Sequence, residues 1–180
     1  MKKIAVLLFV LVLFAVGCSK ENKKDKIITA LLDTGVSTLA IESENLLDGY
    51  NYVTDTLDTE DRINHGTAVA STILGSKSAG VEGMAPNALL VPLVVADKVD
   101  GEQKTVSPET LARAVRESVD KYGASIITVS LGIREDNDAL REAIEYVQKK
   151  GALVIAAAGN SGDDDLYYPA AYDGVLTVGS

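Results

Sequence analysis

The stretch SPETLARAVRESVDKYGASIITVS, residues 107–130, contains a helical pattern that is followed directly by the pattern of a buried strand. Ser107 can cap a helix that has Pro108 at its first position, and Gly123 lies just past its end. The apolar side chains of this helix fall on one stripe: Leu111, Ala114, Val115, Val119 and Tyr122. Residues 125–130 then form a continuous run rich in β-branched residues, which is typical of a strand covered on both faces.

The same alternation extends along the chain in both directions. Four further apolar runs predict strands: residues 27–32, 89–96, 153–157 and 175–178. A second helix is predicted from about Asn137 to Lys150, with these residues on its apolar face: Leu140, Ala143, Ile144 and Val147. Strands that alternate with helices form a parallel sheet, so we predict a doubly wound α/β fold with helices on both faces of the sheet.

Composition excludes several classes of function. The 180 residues suit one domain, and 47% of them are hydrophobic, which suits a folded core. The formal net charge of −9 disfavours nucleic acid as a partner, because an acidic surface repels phosphate backbones. Cys18 is the only cysteine, so an internal disulfide and a cysteine-rich metal site are both excluded.

The first eighteen residues have the pattern of an export signal. Lys2 and Lys3 precede an apolar run at residues 4–16, which is too short to span a bilayer as a helix but suits a signal peptide. Residues 15–18 resemble the lipobox of bacterial lipoproteins, whose cysteine is lipidated and becomes the mature N-terminus. We therefore expect a signal peptide at residues 1–17 and a lipidated Cys18 with a polar tether at 18–26.

This arrangement places the mature protein on the outer face of the bacterial cell membrane, held there by two lipid chains on Cys18. The alternative interpretation is an ordinary secretory signal with an incidental cysteine. The sequence does not indicate an oligomeric state.

Ligands of parallel sheets bind at the carboxyl ends of the strands, and residues 33–35 (Asp-Thr-Gly) follow the strand predicted at 27–32. By itself this is weak evidence, because an aspartate at a strand end is more often a turn or helix-cap residue. The letters LLDTG also occur in aspartic proteases, where two aspartates share a proton. The helical patterns of this chain argue against that all-β class.

His65 and Asn160 are two further candidate site residues. His65 is the only histidine, and it opens an apolar helix, where it is suited to proton transfer. A metal site is not expected at His65, because further histidine and cysteine ligands are missing. Asn160 follows the strand at 153–157, and its amide can donate to a developing oxyanion, although a role in a turn is the alternative.

Six motifs in one order support a more specific interpretation. They occupy residues 28–35, 64–67, 83–86, 130–132, 158–160 and 168–170. With these motifs, residues 27–180 closely resemble the subtilisin-like serine proteases, and the resemblance implies their α/β fold. It also implies that Asp33 orients His65, that His65 takes a proton from a serine hydroxyl, and that Asn160 holds the oxyanion.

The same resemblance implies a binding site for the peptide substrate. Two backbone segments would form walls on either side of the P1 side chain: Ser130, Leu131 and Gly132, and Ala157, Ala158 and Gly159. An extended peptide would pair with these segments as an added strand. The expected substrate is therefore a peptide or protein.

The family's nucleophilic serine is not found in this sequence. The family carries it in a Gly-Thr-Ser motif, whereas the only Gly-Thr pair here is Gly66-Thr67. We therefore expect the N-terminal part of a serine endopeptidase domain, truncated at the C-terminus and inactive by itself, because loss of that serine costs about 10⁶ in kcat. The alternatives are a lipid-anchored peptide-binding protein without catalysis and a decayed gene fragment.

Ligands other than peptide are only weakly indicated. Calcium is common in the family, but residues 75–80 are short and carry Lys77 where a loop rich in ligands would be needed, so no cofactor is expected. For the P1 side chain there are two hypotheses. Either Tyr167 shortens the pocket, or an acidic rim of Asp163, Asp164 and Asp165 favours basic residues.

Overall fold

The computed structural model describes residues 26–160, 162 and 165–179. The expected signal peptide, Cys18 and nearly all of the tether lie outside the described residues. In chain order the elements are β1 (Ile28–Asp33), β2 (Tyr50–Asn51), α1 (His65–Leu74), β3 (Gly75–Ser76), β4 (Val81–Glu82), β5 (Leu89–Val94), β6 (Ala96–Val99), β7 (Glu102–Thr105), α2 (Pro108–Asp120), β8 (Ile126–Val129), α3 (Asp138–Lys149), β9 (Leu153–Ala157) and β10 (Leu176–Val178).

Six parallel strands form the main sheet in the order β10-β9-β8-β1-β5-β2. All five strands predicted from apolar runs belong to it. The run at 89–96 ends earlier than predicted, because Ala96 pairs instead with Thr105 in the antiparallel hairpin of β6 and β7. The short strand β2 was not predicted.

The helices predicted after Ser107, from about Asn137 and from His65 are all present, and Ser107 caps the first of them as predicted. The Ser107 hydroxyl accepts a hydrogen bond from the Thr110 amide at 3.3 Å, and the Asn137 side chain accepts one from the Leu140 amide at 3.1 Å. These caps satisfy backbone donors that have no partner within the helix. The buried side chains of α3 are the four predicted ones: Leu140, Ala143, Ile144 and Val147.

Helices cover both faces of the sheet, which confirms the doubly wound α/β prediction. On β1, Ala30 and Leu32 pack in the core cluster that contains the buried faces of α2 and α3. Leu31 points to the opposite face, where it packs with Ala70 and Leu74 of α1. No helix in the described ranges is both long and apolar enough to cross a bilayer.

The topology creates a crevice at the carboxyl ends of β1 and β8. The strands β1 and β8 are neighbours in the sheet. From β1 the chain continues through α1 to β5, which lies towards one edge of the sheet, whereas from β8 it continues through α3 to β9, which lies towards the opposite edge. Neighbouring strands whose connections diverge in this way leave an opening in which ligands bind. Asp33 ends β1 and Ser130 follows β8, so both residues lie at this opening.

Candidate active site

A buried carboxylate and an exposed imidazole meet at the end of β1. The Nδ1 atom of His65 lies 2.7 Å from Oδ1 of Asp33, which also accepts a hydrogen bond from the Thr34 amide at 2.7 Å. The Asp33 side chain is 2% exposed and the His65 side chain is 55% exposed. Because Asp33 engages Nδ1, Nε2 is the ring nitrogen that can exchange a proton with a bound group.

Gly66 allows α1 to start so close to the tip of β1. A Cβ atom on Gly66 would lie 2.1 Å from the carbonyl oxygen of Gly35 and 3.2 Å from Cβ of Asp33. Such a distance is far inside van der Waals contact, so any larger residue at 66 would push α1 away from the strand. Gly66 therefore sets the short approach that the Asp33–His65 hydrogen bond requires.

Asp61 is a site residue that the sequence did not predict. Its carboxylate accepts five hydrogen bonds, from Thr34 Oγ1, the backbone amides of Ile63, Asn64 and Thr67, and Thr67 Oγ1. Burial raises the pKa of Asp61, but the hydrogen bonds, led by those from Thr67, outweigh it and lower the pKa overall. Asp61 is therefore a buried anion that ties the residue after Asp33 to the first turn of α1.

Thr34 completes this link between the two elements. Its hydroxyl donates to Asp61 at 2.9 Å and accepts from the Gly66 amide at 2.8 Å. The Thr34 side chain thus contacts both Asp61 and Gly66, the residue that follows His65. A signal for Asp61 existed in the sequence, because an acidic residue just before a helix satisfies its free amides.

The second oxygen of Asp33 has a different environment. Oδ2 is buried and has no hydrogen-bond partner among the described residues. Asp33 lines a cavity of about 230 Å³ together with Gln103, Thr105 and Ser130. A cavity of this size and polarity can hold water beside the Asp33 side chain.

A larger cavity of about 520 Å³ adjoins His65. Five of the six predicted substrate-binding residues line it, namely Ser130, Leu131, Gly132, Ala157 and Gly159, and so does the predicted oxyanion donor Asn160. Ala158 does not line it, and this residue extends the pairing of β9 by donating its amide to the Val178 carbonyl at 2.8 Å. His65 and Asn160 thus face one shared space.

Tyr167 also lines this cavity, and its ring contacts both predicted walls. No group of three or more His, Cys, Asp or Glu side chains in the part of the chain that the structure describes is arranged to hold a metal ion. The chemistry that this arrangement offers is proton transfer through His65 beside a cleft that can hold an extended peptide.

Comparison with known proteins gives one consistent answer. The Subtilase family matches residues 24–180. The chain is 38% identical over 173 residues to the "Major intracellular serine protease" of Bacillus subtilis, covering 90% of this chain and 53% of that protein. It is 36% identical over 152 residues to "Subtilisin Savinase" of Lederbergia lenta, covering 84% of this chain and 54% of that protein.

Solved structures agree with this result. A psychrophilic subtilisin-like protease from Pseudoalteromonas sp. AS-11 superposes with a TM-score of 0.71 at 30% identity, covering 84% of this chain and 35% of that chain. Fervidolysin from Fervidobacterium pennivorans, a keratinolytic enzyme, gives 0.70 at 28% identity, covering 91% of this chain and 26% of that chain. The chain spans about half the length of the two curated relatives above.

Proposed function

The chain belongs to the subtilase family, and on that premise we propose that it supplies the aspartate and histidine of a serine endopeptidase. Asp33 and His65 are the two triad members, and Asn160 is the oxyanion donor. The nucleophilic serine would come from polypeptide other than these 180 residues. The observation that carries the proposal is the 2.7 Å contact between buried Asp33 and exposed His65 beside the large cavity.

The geometry suits general base catalysis. The Asp33 carboxylate holds the imidazole in the tautomer that carries its proton on Nδ1, which leaves the Nε2 lone pair free. Nε2 then takes the proton of the serine hydroxyl as the oxygen attacks the peptide carbonyl. The same nitrogen delivers that proton to the leaving amine, and the buried charge of Asp33 stabilises the imidazolium between the two steps.

The remaining parts of the reaction have candidates along the same cavity. The Asn160 amide can donate to the negative charge that develops on the carbonyl oxygen, and such a donor is worth about 10²–10³ in kcat. Residues 130–132 and 157–159 flank the space in which a peptide would lie. Backbone pairing with these segments would bind many sequences, so the side-chain selection would fall to the cavity between them.

Residues 1–18 support a proposal about location. Their pattern favours export, with Cys18 as the site of lipid attachment, so the protease would act on peptides at the outer face of the membrane. The Bacillus subtilis relative is named as an intracellular protease. Cell fractionation distinguishes the two locations, because an anchored protein is found in the membrane fraction and an intracellular one in the cytosolic fraction.

The test uses the reading frame that encodes residues 1–180, followed to its stop codon and expressed in a bacterium. A fluorophosphonate probe, which reacts with activated serines, should label the product in the membrane fraction. Asp33→Asn should lower the rate of labelling about 10⁴-fold, because the imidazole then prefers the wrong tautomer. Asp100→Asn, a matched change at the exposed turn between β6 and β7, should leave labelling intact.

Each alternative predicts a distinct result. A product that binds peptides but is not labelled would contradict the protease and support the non-catalytic binding protein. Labelling that persists in Asp33→Asn would remove Asp33 from the triad. Cys18→Ser removes the site of lipid attachment, so a radioactive fatty-acid label should enter the wild type and not this variant, and a wild type without that label would contradict lipid anchoring.

A further inference from the structure

The ring of Tyr167 lies between the two proposed walls of the substrate cavity. A Cβ atom on Gly132 would lie 3.0 Å from Cβ and 3.2 Å from Cδ1 of Tyr167. A Cβ atom on Gly159 would lie 2.9 Å from Cδ2 and 3.1 Å from Cε2 of the same ring. Opposite edges of one aromatic ring therefore contact the two walls, and the ring bridges the gap between them.

The backbone fixes this position of the ring. Ile133 and Tyr168 exchange two hydrogen bonds, with the Ile133 amide donating to the Tyr168 carbonyl at 2.9 Å and the Tyr168 amide donating back at 2.8 Å. This pairing sets Tyr167 beside Gly132. The Tyr168 side chain packs against the main core cluster and thereby anchors the segment.

Arg134 holds the phenol from the outside. Its guanidinium donates a hydrogen bond to the Tyr167 hydroxyl at 2.9 Å and lies 5.4 Å from the ring centroid. The same guanidinium forms an ion pair with Asp165. A hydrogen bond, a cation–π contact and packing against two glycines thus all oppose movement of the ring.

The ion pair also bears on the charge of the cavity. Asp165 is the one residue of the predicted acidic rim that lies within the described ranges, and its carboxylate is engaged by Arg134. A substrate lysine or arginine would have to compete with Arg134 for it. Asp165 by itself therefore does not support the acidic-rim hypothesis, whereas the position of Tyr167 supports the hypothesis of a shortened pocket.

We propose that Tyr167 is a specificity-determining residue that fills the gap between Gly132 and Gly159 and so shortens the cavity beside them, so that the protein takes peptides with a small, uncharged P1 side chain such as alanine. The inference rests on the proposed function, because that proposal assigns these segments as the walls. A large P1 side chain would have to displace the ring and break its bond to Arg134. A methyl group needs no such displacement.

The experiment uses the protein expressed from the complete reading frame, with peptide p-nitroanilides that differ only at P1, namely Ala, Phe and Lys. For the wild type we expect kcat/KM with Ala to exceed that with Phe and with Lys by about tenfold or more, which is the discrimination that one methylene group gives in an apolar pocket. The substitution Tyr167→Ala removes the ring. It should raise the ratio of kcat/KM for the P1 Phe substrate to that for the P1 Ala substrate by about tenfold or more. Tyr167→Phe keeps the ring and should keep the preference for Ala.

The outcomes separate this inference from the proposed function. Fluorophosphonate labelling together with a wild-type preference for Phe or Lys would overturn the role of Tyr167 while leaving the protease intact. A preference for Ala that persists in Tyr167→Ala would overturn it as well. Absence of labelling would refute the proposed function and this inference together. If Tyr167→Ala does not fold, the wild-type and Tyr167→Phe profiles still decide, because a preference for large P1 residues in either contradicts the inference.

Discussion

The short distance between Asp33 and His65 depends on Asp61, although the hydrogen bonds of its carboxylate go to neither of these two residues. Asp61 accepts from the Thr34 hydroxyl on one side and from Thr67 on the other. These two residues follow Asp33 and Gly66 directly. Asp61 is therefore a positioning residue that sets the strand tip and the start of α1 relative to each other.

Asp61→Asn keeps the shape of the side chain but places an amide group where the carboxylate accepts two bonds from Thr67. We expect a loss of about 1–3 kcal/mol in the free energy of unfolding, because buried donors are left without an acceptor. We also expect a weaker Asp33–His65 hydrogen bond. The downfield NMR resonance of the His65 Nδ1 proton, assigned by its absence in His65→Gln, reports on that bond.

The control for this change is Asp58→Asn, which removes the same charge from the same loop. Asp58 is half exposed and pairs with Arg62 at 2.5 Å, outside the network of Asp61. The substitution Asp58→Asn should leave the His65 resonance unchanged and alter the free energy of unfolding by less than about 1 kcal/mol. If Asp61→Asn lowers stability and also leaves the resonance unchanged, Asp61 has only a structural role.

The pKa of Asp61 predicts how this effect depends on pH. A carboxylate with a lowered pKa in the folded state stabilises the fold above its usual pKa of about 4 and loses that contribution as the pH falls further. The stability difference between the wild type and Asp61→Asn should therefore be largest at neutral pH and should shrink below about pH 4. Urea unfolding at pH 7 and pH 3 measures it.

At the scale of helices and strands, the local sequence pattern was sufficient to predict the elements that bury an apolar face. The four side chains predicted for the face of α3 are all buried. The strands that were not predicted are short. Three of them, β2, β3 and β4, have two residues each, and the hairpin strands β6 and β7 have four each. Segments this short carry little periodicity, so such strands form only where a neighbouring element offers free backbone groups.

The packing of α3 leads to a prediction about stability. Leu140 is 0% exposed, so Leu140→Ala leaves a cavity and should lower the free energy of unfolding by about 2–5 kcal/mol. Leu39→Ala is the matched control, because Leu39 is 84% exposed and should change stability by less than about 0.5 kcal/mol. Equal effects of the two changes would mean that α3 does not pack against the sheet as described.

At the scale of the whole molecule, the two edges of the main sheet differ. The edge strand β2 is short, whereas every residue of the other edge strand, β10, is exposed, with Leu176 at 51% and Val178 at 53%. An open strand edge with apolar side chains is a template for pairing with another chain. This edge also borders the large cavity, which Val178 and Gly179 line.

We therefore expect a polypeptide of residues 26–180 to self-associate through β10. Leu176→Lys places a charge on that edge and should shift the sedimentation profile towards monomer. Leu39→Lys, at an exposed site away from the main sheet, should not. A wild-type polypeptide that stays monomeric at high micromolar concentration would contradict the prediction.

The sequence by itself determined the fold class, because strands and helices that cover an apolar face leave a local periodicity in the chain. It also predicted Asp33, His65 and Asn160, since each follows a strand or opens a helix within a recognisable motif. The tertiary structure decided the rest. Asp61 binds Thr34 across 27 positions of sequence, and Arg134 reaches Tyr167 across 33. Contacts between residues so far apart have no local pattern, because they exist only once the sheet and its connections have brought the partners together.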